Sequence, residues 1–523
     1  MGKRMYNVLF HTHTVSGIVI SVALYIIFFA GSFSFFRDEI INWERGHQVE
    51  IKDEIAINID TALSHLGQQY ELRGRDINLR HYYNERQVGV SLSASKDSTA
   101  SKEARVGAFF YLDTEDKSTA TYPESYTLGE FLYRLHFFAQ IPYPYGYHLS
   151  GFTAFFFLFT ILTGIIIHWR KIVTNFYVFR PWAKLKTIWT DSHTALGLIG
   201  FPFQLVYALT GAFFMLQSIV MAPYIAVLYN GDQQAFDKAL EQEHSTYEYS
   251  HRPLSGIESL SKYTAEVQSK WIDFKITELK IDNYGDQNMY LTISGNIDPR
   301  NKMNGIGKIT YKVADQNIVY EKNPMEKNSY ADVTKNILSR LHLADYAGYG
   351  LRIISFILGL ISCYVILSGV MIWLVARDKK SVSDKQKKFN QSVVFWYLAI
   401  CLSMYPMVAL EFVLVKLFAP AGMTFIYKTF FIGWLVLSIF FAWKKNNAFT
   451  TKWSLGLGAV LGLFIPLVNW IESGNWIWDN LRLACYDIAF IDIFWIALSV
   501  FSLLSLRRMK QAIVLDKKSG KTF

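Results

Sequence analysis

The chain has 523 residues, 51% hydrophobic, 16% aromatic and 18% charged, with a formal net charge of +9. Mean hydropathy is +0.17, and the apolar residues gather in runs of about 20, the length an α-helix needs to cross a hydrocarbon core of about 30 Å. Those figures exclude a soluble globular or disordered chain and leave a polytopic membrane protein.

In chain order, a first span near 15–36 closes segment 1–36. A hydrophilic α+β segment, 37–147, comes next, with a helix over 60–67 and alternating strands over 88–93 and 108–112. Spans near 148–169 and 195–218 fill segment 148–218. A second hydrophilic segment, 219–345, carries a helical stretch over 257–267 and alternation over 288–294 and 308–313. A span near 351–376 occupies 346–378, followed by a basic loop, 379–390. Four further spans, near 391–415, 423–443, 453–471 and 485–505, make up 391–506, and 507–523 is a basic tail. The expected fold is a membrane all-α bundle of eight helices with two small extracytoplasmic α+β domains.

Basic residues cluster at one set of span ends. They are Lys3 and Arg4; Arg170, Lys171, Arg180, Lys184 and Lys186; Arg377 and Lys379 to Lys388; Lys444, Lys445 and Lys452; and the tail from Arg507 to Lys521. By the positive-inside rule both termini are cytoplasmic, so the positive charge sets topology and does not point to nucleic acid. Cys363, Cys401 and Cys485 form no C-x-x-C or C-x-x-C-H, which excludes a covalent c-type haem site or a disulfide framework; they read as small packing residues.

A repeat carries the functional information. His13-Thr14-Val15-Ser16-Gly17 matches His193-Thr194-Ala195-Leu196-Gly197, and Ala30-Gly31 matches Thr210-Gly211. Arg134-Leu135-His136 matches Arg340-Leu341-His342, and Thr163-Gly164 matches Ser368-Gly369. The unit is helix, hydrophilic domain, helix, used twice in the same orientation. His13, Gly17 and Gly31 share a helical stripe, as do His193, Gly197 and Gly211. Such a stripe suits a flat macrocycle approaching the backbone, although small residues also serve close helix packing.

Ionisable residues inside a membrane are functional candidates. His13, His168 and His193 sit at cytoplasmic span ends, while His136, His342 and His148 sit at outer ends. Neutral imidazoles from facing helices satisfy both axial positions of a b-type haem. The repeat pairs His13 with His193 and His136 with His342, giving two haems at opposite depths. His168, whose counterpart is Trp373, is an alternative inner ligand or a propionate partner. His11 and His148 read as interfacial; His47, His65, His81, His244 and His251 belong to the hydrophilic domains. No residue is assigned a catalytic role. Glu411, Asp487 and Asp492, with Lys416 and Lys428 at similar depth, read as interfacial charges paired with one another, with a proton or quinol site as the sharper reading.

These motifs, together with Phe131-Leu132-Tyr133-Arg134-Leu135-His136, Thr163 to His168, Trp189 to His193 and Phe201-Pro202-Phe203, resemble the PepSY-associated transmembrane helix family, over about residues 5–378. That family includes inner-membrane ferric-siderophore reductases. The resemblance implies PepSY-like outer domains, b-type haem, and electron transfer from quinol or a cytoplasmic donor to a periplasmic ferric chelate, in a bacterial inner membrane. Rival readings are a transporter of iron or a chelate, a regulatory scaffold, and a haem b quinol oxidoreductase unrelated to iron uptake. No cytoplasmic segment carries a G-x-G-x-x-G after a strand, so no nicotinamide or flavin site is expected.

Overall fold

A computed structural model describes residues 2–46, 53–169, 185–233, 247–326 and 329–518, with 172, 174, 180, 183, 235 and 236 besides. His47, His244, Arg170, Lys171, Lys184 and Lys521 lie outside the described residues.

The helices are α1 (Lys3–Ser34), α2 (Arg37–Arg45), α3 (Ile59–Gln69), α4 (Leu128–Leu135), α5 (Tyr145–His168) and α6 (Leu185–Leu228). They continue with α7 (Ser261–Lys270), α8 (Tyr330–Leu343), α9 (Gly348–Arg377), α10 (Asp384–Leu417), α11 (Gly422–Trp443), α12 (Asn447–Ser473), α13 (Ile477–Arg482) and α14 (Tyr486–Lys518). Among the described residues eight helices, α1, α5, α6, α9, α10, α11, α12 and α14, are long and apolar enough to cross a membrane. The chain is a multi-pass membrane protein, and the eight expected spans are all present. Several run past the predicted limits because caps set the ends: Ser383 accepts from Gln386 N to start α10, and Gly474, with φ +71°, terminates α12.

The chain divides into two compact units. One comprises Met1–Gln48, Tyr126–Val220 and Gly350–Phe523. Within it the last four spans are no appendage. Phe33 stacks on Trp495 at 5.8 Å, Phe36 meets Phe490 at 4.8 Å, and Phe356 meets Phe494 at 4.9 Å. Buried aromatic pairs of this kind add about 0.5–1.5 kcal/mol each beyond their area. They join α9 and the C-terminal end of α1 to α14. The three cysteines are free and buried.

The other unit comprises Val49–Ser125 and Met221–Tyr349. Here the structure corrects the expectation of two small separate domains. Strands β1 (Ile77–Arg80), β2 (Gln87–Leu92), β3 (Ala108–Asp113) and β4 (Thr119–Ala120) come from the first segment. Strands β5 (Phe274–Asp282), β6 (Tyr290–Ile297), β7 (Ile306–Lys312) and β8 (Asn317–Lys322) come from the second. All eight form one sheet in the order β4-β3-β2-β1-β5-β6-β7-β8. The seam is antiparallel, with Ile77 opposite Ile281 and Leu79 opposite Leu279. Those four side chains are buried in one core that also holds Leu63, Val90, Ile293 and Ile309. Each such burial contributes about 1.5–3 kcal/mol. Slipping the seam by one residue would turn the apolar set to the other face. β1 and β5, absent from the sequence reading, are the two strands that make the seam.

The helix expected over 60–67 is α3, capped by Asn58, whose side chain accepts from Asp60 N and Thr61 N. Asp60 instead accepts from Ser259 Oγ, Leu260 N and Ser261 N at the start of α7. One carboxylate thereby ties the helix of the second segment to that of the first.

Candidate cofactor-binding site

His13 and His193 come together. Their ring centroids are 6.3 Å apart and the ring planes meet at 82°. Each imidazole is fixed by the next membrane-spanning helix along the chain. His13 Nδ1 donates to Thr160 O of α5 at 2.9 Å, and His193 Nδ1 donates to Val365 O of α9 at 3.0 Å. A carbonyl can only accept, so Nδ1 carries the proton and the lone pair of each neutral ring is on Nε2.

The offset of 205 residues that relates Thr163-Gly164 to Ser368-Gly369 also relates these two carbonyls. The hydroxyls repeat it: Thr163 Oγ1 donates to Thr160 O at 3.0 Å, and Ser368 Oγ to Val365 O at 2.8 Å. So do the glycines. A Cβ at Gly164 would stand 3.1 Å from His13 Cε1, and one at Gly369 would stand 3.2 Å from His193 Cε1. The Thr-Gly and Ser-Gly pairs, read from the sequence only as markers of the repeat, form the seats of the two rings. That signal was visible; its partner was not.

The stripe glycines behave differently from one another. A Cβ at Gly17 would meet only Thr160 Cγ2 at 3.7 Å, and one at Gly197 only Val365 Cγ1 at 3.9 Å. Protein packing therefore does not demand glycine at either place. At Gly211 the neighbour is Ala154 Cβ at 3.1 Å, which is helix packing. At Gly31 the room is taken by the imidazole of His136, whose Nδ1 would stand 2.5 Å from an added Cβ.

His136 caps the C-terminal end of α4. Its Nδ1 donates to Ile27 O of α1 at 2.9 Å, so its neutral ring has the same tautomer as His13 and His193. From residue 13 to residues 27–31 the rise along α1 is about 21–27 Å, so the two histidine positions lie near opposite edges of a bilayer core. α4 is held against α2 by a buried ion pair between Arg37 and Glu130 and by Glu44 Oε2, which accepts Leu128 N at 2.6 Å. Gly129 permits the approach, because a Cβ there would meet Arg37 O at 2.7 Å.

His342 lies in the last turn of α8, half-buried, in the other unit. His168 ends α5, the helix whose Thr160 O holds His13. His148 Nε2 is 3.4 Å from Ser218 Oγ and exposed; His11 is exposed beside Phe10. Among the described residues no group of three or more His, Cys, Asp or Glu could hold a metal ion. The donor set is therefore two imidazoles with Nε2 available, which suits a metal whose remaining positions come with a macrocycle.

Two acidic residues and one lysine of the last spans are shut inside the protein. Glu411, Asp492 and Lys416 are 0%, 1% and 6% exposed, while Asp487 is half-buried and Lys428 exposed. α2 folds over them and supplies hydrogen-bond partners. Asn42 Nδ2 donates to Asp487 Oδ2 at 2.8 Å, Trp43 Nε1 donates to Asp492 Oδ1, and Lys416 Nζ donates to Trp43 O at 2.6 Å. No sequence signal placed α2 there.

The family model described as PepSY-associated TM region matches residues 10–376. No curated protein matches the chain. The matched stretch contains every histidine discussed above, and the last four spans lie beyond it.

Proposed function

The chain belongs to the family of the PepSY-associated TM region, and from that premise we propose that it is a di-haem b transmembrane reductase of a bacterial inner membrane. Electrons pass from quinol or a cytoplasmic donor to a ferric chelate such as a ferric siderophore on the periplasmic side, releasing Fe(II). One observation carries this reading: the 6.3 Å separation and 82° angle of the His13 and His193 rings. Two neutral imidazoles this close, each with Nδ1 tied to a carbonyl and its lone pair on Nε2, would together hold a haem iron.

His13 and His193 would hold the inner haem, and His136 would be a ligand of the outer one. Haem supplies one-electron transfer when bound. The chain's own residues fix the ligands. Thr160 O and Val365 O lock the Nδ1–H tautomer and keep Nε2 basic, as carbonyl partners do for metal-bound histidines. Gly164 and Gly369 let each ring lie against the neighbouring helix. At the depth of His136, Phe28 packs edge-on to Phe157 at 5.4 Å and near Phe203 at 6.3 Å.

A reduced-minus-oxidised spectrum of the purified, haem-supplied protein is expected to show a b-type α-band. His13→Ala and His193→Ala each remove part of it, and reduced protein is reoxidised by a ferric chelate. A protein without the band, or with the band unchanged in both variants, overturns the reading.

A further inference from the structure

Three carboxyls and one ammonium are buried together where α2 meets the last spans. They are Glu44 of α2, Glu411 and Lys416 of α10, and Asp492 of α14. Asp492 accepts from Trp43 Nε1 at 2.9 Å and Asn469 Nδ2 at 2.8 Å. Glu44 accepts Leu128 N. Glu411 Oε1 accepts from Thr429 Oγ1 at 2.5 Å, but its fully buried Oε2 has no hydrogen-bond partner among the described residues. Other charges bear on the group: Arg45 on Glu44, and Glu472 of α12 on Lys416. Glu130 of α4 is occupied by Arg37.

A lone ammonium balances one carboxylate, and Asp492, with two donors, is the best-solvated anion of the three. Glu44 and Glu411 then remain in a dry setting, brought near by their chain neighbours Trp43 and Phe412, whose rings meet at 5.4 Å, and buried carboxylates that share one cation leave a charge uncompensated. Burial pushes the Glu44 carboxyl up to about 7, against the opposing pull of Leu128 N–H, Arg45 and Lys416. Glu44 is also mechanically tied to the outer histidine. It holds the first N–H of α4, a helix of 8 residues whose other end is His136.

We propose that Glu44 and Glu411 form a proton-exchange site that takes up one proton when the cofactor at His136 is reduced. This rests on the redox reading above. One electron from an external reductant adds one negative charge; one proton from water forms an O–H bond on a carboxylate of the pair. No carbon bond breaks, and the net charge at that end is unchanged. The proton follows the electron because neutrality is worth most where the dielectric is low.

The test is a redox titration of the haem-loaded protein over about pH 5.5 to 8.5, a range spanning the Glu44 transition, with reduced-minus-oxidised infrared spectra. The midpoint potential of one haem is expected to fall by up to about 59 mV per pH unit, the one-electron equivalent of a tenfold change in proton activity. A protonated-carboxyl band should grow on reduction. Glu44→Gln, which keeps an acceptor for Leu128 N, and Glu411→Gln flatten the slope and remove the band; Asp378→Asn, an exposed control, changes neither. Should Glu44→Gln not fold, Glu411→Gln carries the comparison. A pH-independent potential, or a slope and band that survive both substitutions, overturns the proposal. Absence of any b-type spectrum overturns the redox reading instead, and the two failures are told apart by the optical spectrum alone.

Discussion

The indole of Trp43 donates to Asp492 across 449 positions of sequence, joining the helix after the first span to the last span. Trp43 is fully buried, with Lys416 Nζ 4.9 Å from its ring centroid and bonded to its carbonyl. Through this side chain α2 is moored to the last four spans, and α4 and His136 are moored to α2. The additional helices therefore support the outer histidine from behind.

Replacing Trp43 with Phe leaves a buried carboxylate short of one donor. A hydrogen bond to a charged group is worth about 1.5–3 kcal/mol, so the melting temperature of the solubilised protein should fall measurably. Trp169→Phe, at an exposed position, should leave it unchanged. Equal melting of the two variants would remove the mooring role of Trp43.

The glycine seats predict a depth-specific effect. Gly164→Ala puts a methyl 3.1 Å from His13 Cε1, so the ring must give by a few tenths of an ångström. Haem retention at that end should weaken by about tenfold, or about 1.4 kcal/mol. Gly31→Ala puts its methyl 2.5 Å from His136 Nδ1, an overpacking that costs about 1–3 kcal/mol. It should perturb the other haem. Optical redox titration separates the two, and identical effects on both components would contradict the assignment.

In the sheet unit, Asp60 accepts three hydrogen bonds from the start of α7. Partial burial raises its carboxyl, but the bonds from Ser259, Leu260 and Ser261 outweigh it and hold the group below its ordinary value. A depressed carboxyl contributes stability that is present above the unfolded value and lost as pH falls through the folded one. Asp60→Ala should destabilise the unit by about 1 kcal/mol near neutral pH, as loss of a helix cap does. That gap to the parent should close below about pH 3.8, the ordinary value of the group. Hydrogen exchange of the β1 and β5 amides in the full chain reads both; a gap that persists in acid would refute the role.

The eight spans, the histidines worth pursuing and the internal offset were legible in the linear text. A hydrocarbon core demands about 20 apolar residues in a row, and imidazole at membrane depth is too costly to be incidental. His13 could be matched to His193 because a repeat preserves register. The acceptors Thr160 O, Val365 O and Ile27 O were not legible, since a backbone carbonyl has no side-chain signature. Nor was the β1–β5 seam: β1 is 4 residues long and meets a strand about 200 positions away, beyond the reach of local alternation.

Hydropathy and periodicity alone marked eight helices long and apolar enough to cross a membrane and the matching histidine motifs along the chain, because those properties depend on residue type and spacing. Only the tertiary structure decided that Nδ1 of each ring is spoken for, that the two hydrophilic segments share one sheet, and that Glu44, Glu411, Asp492 and Lys416 are shut away from water. Those facts depend on which distant surfaces meet. Long-range packing settles that, and no window along the sequence contains both partners.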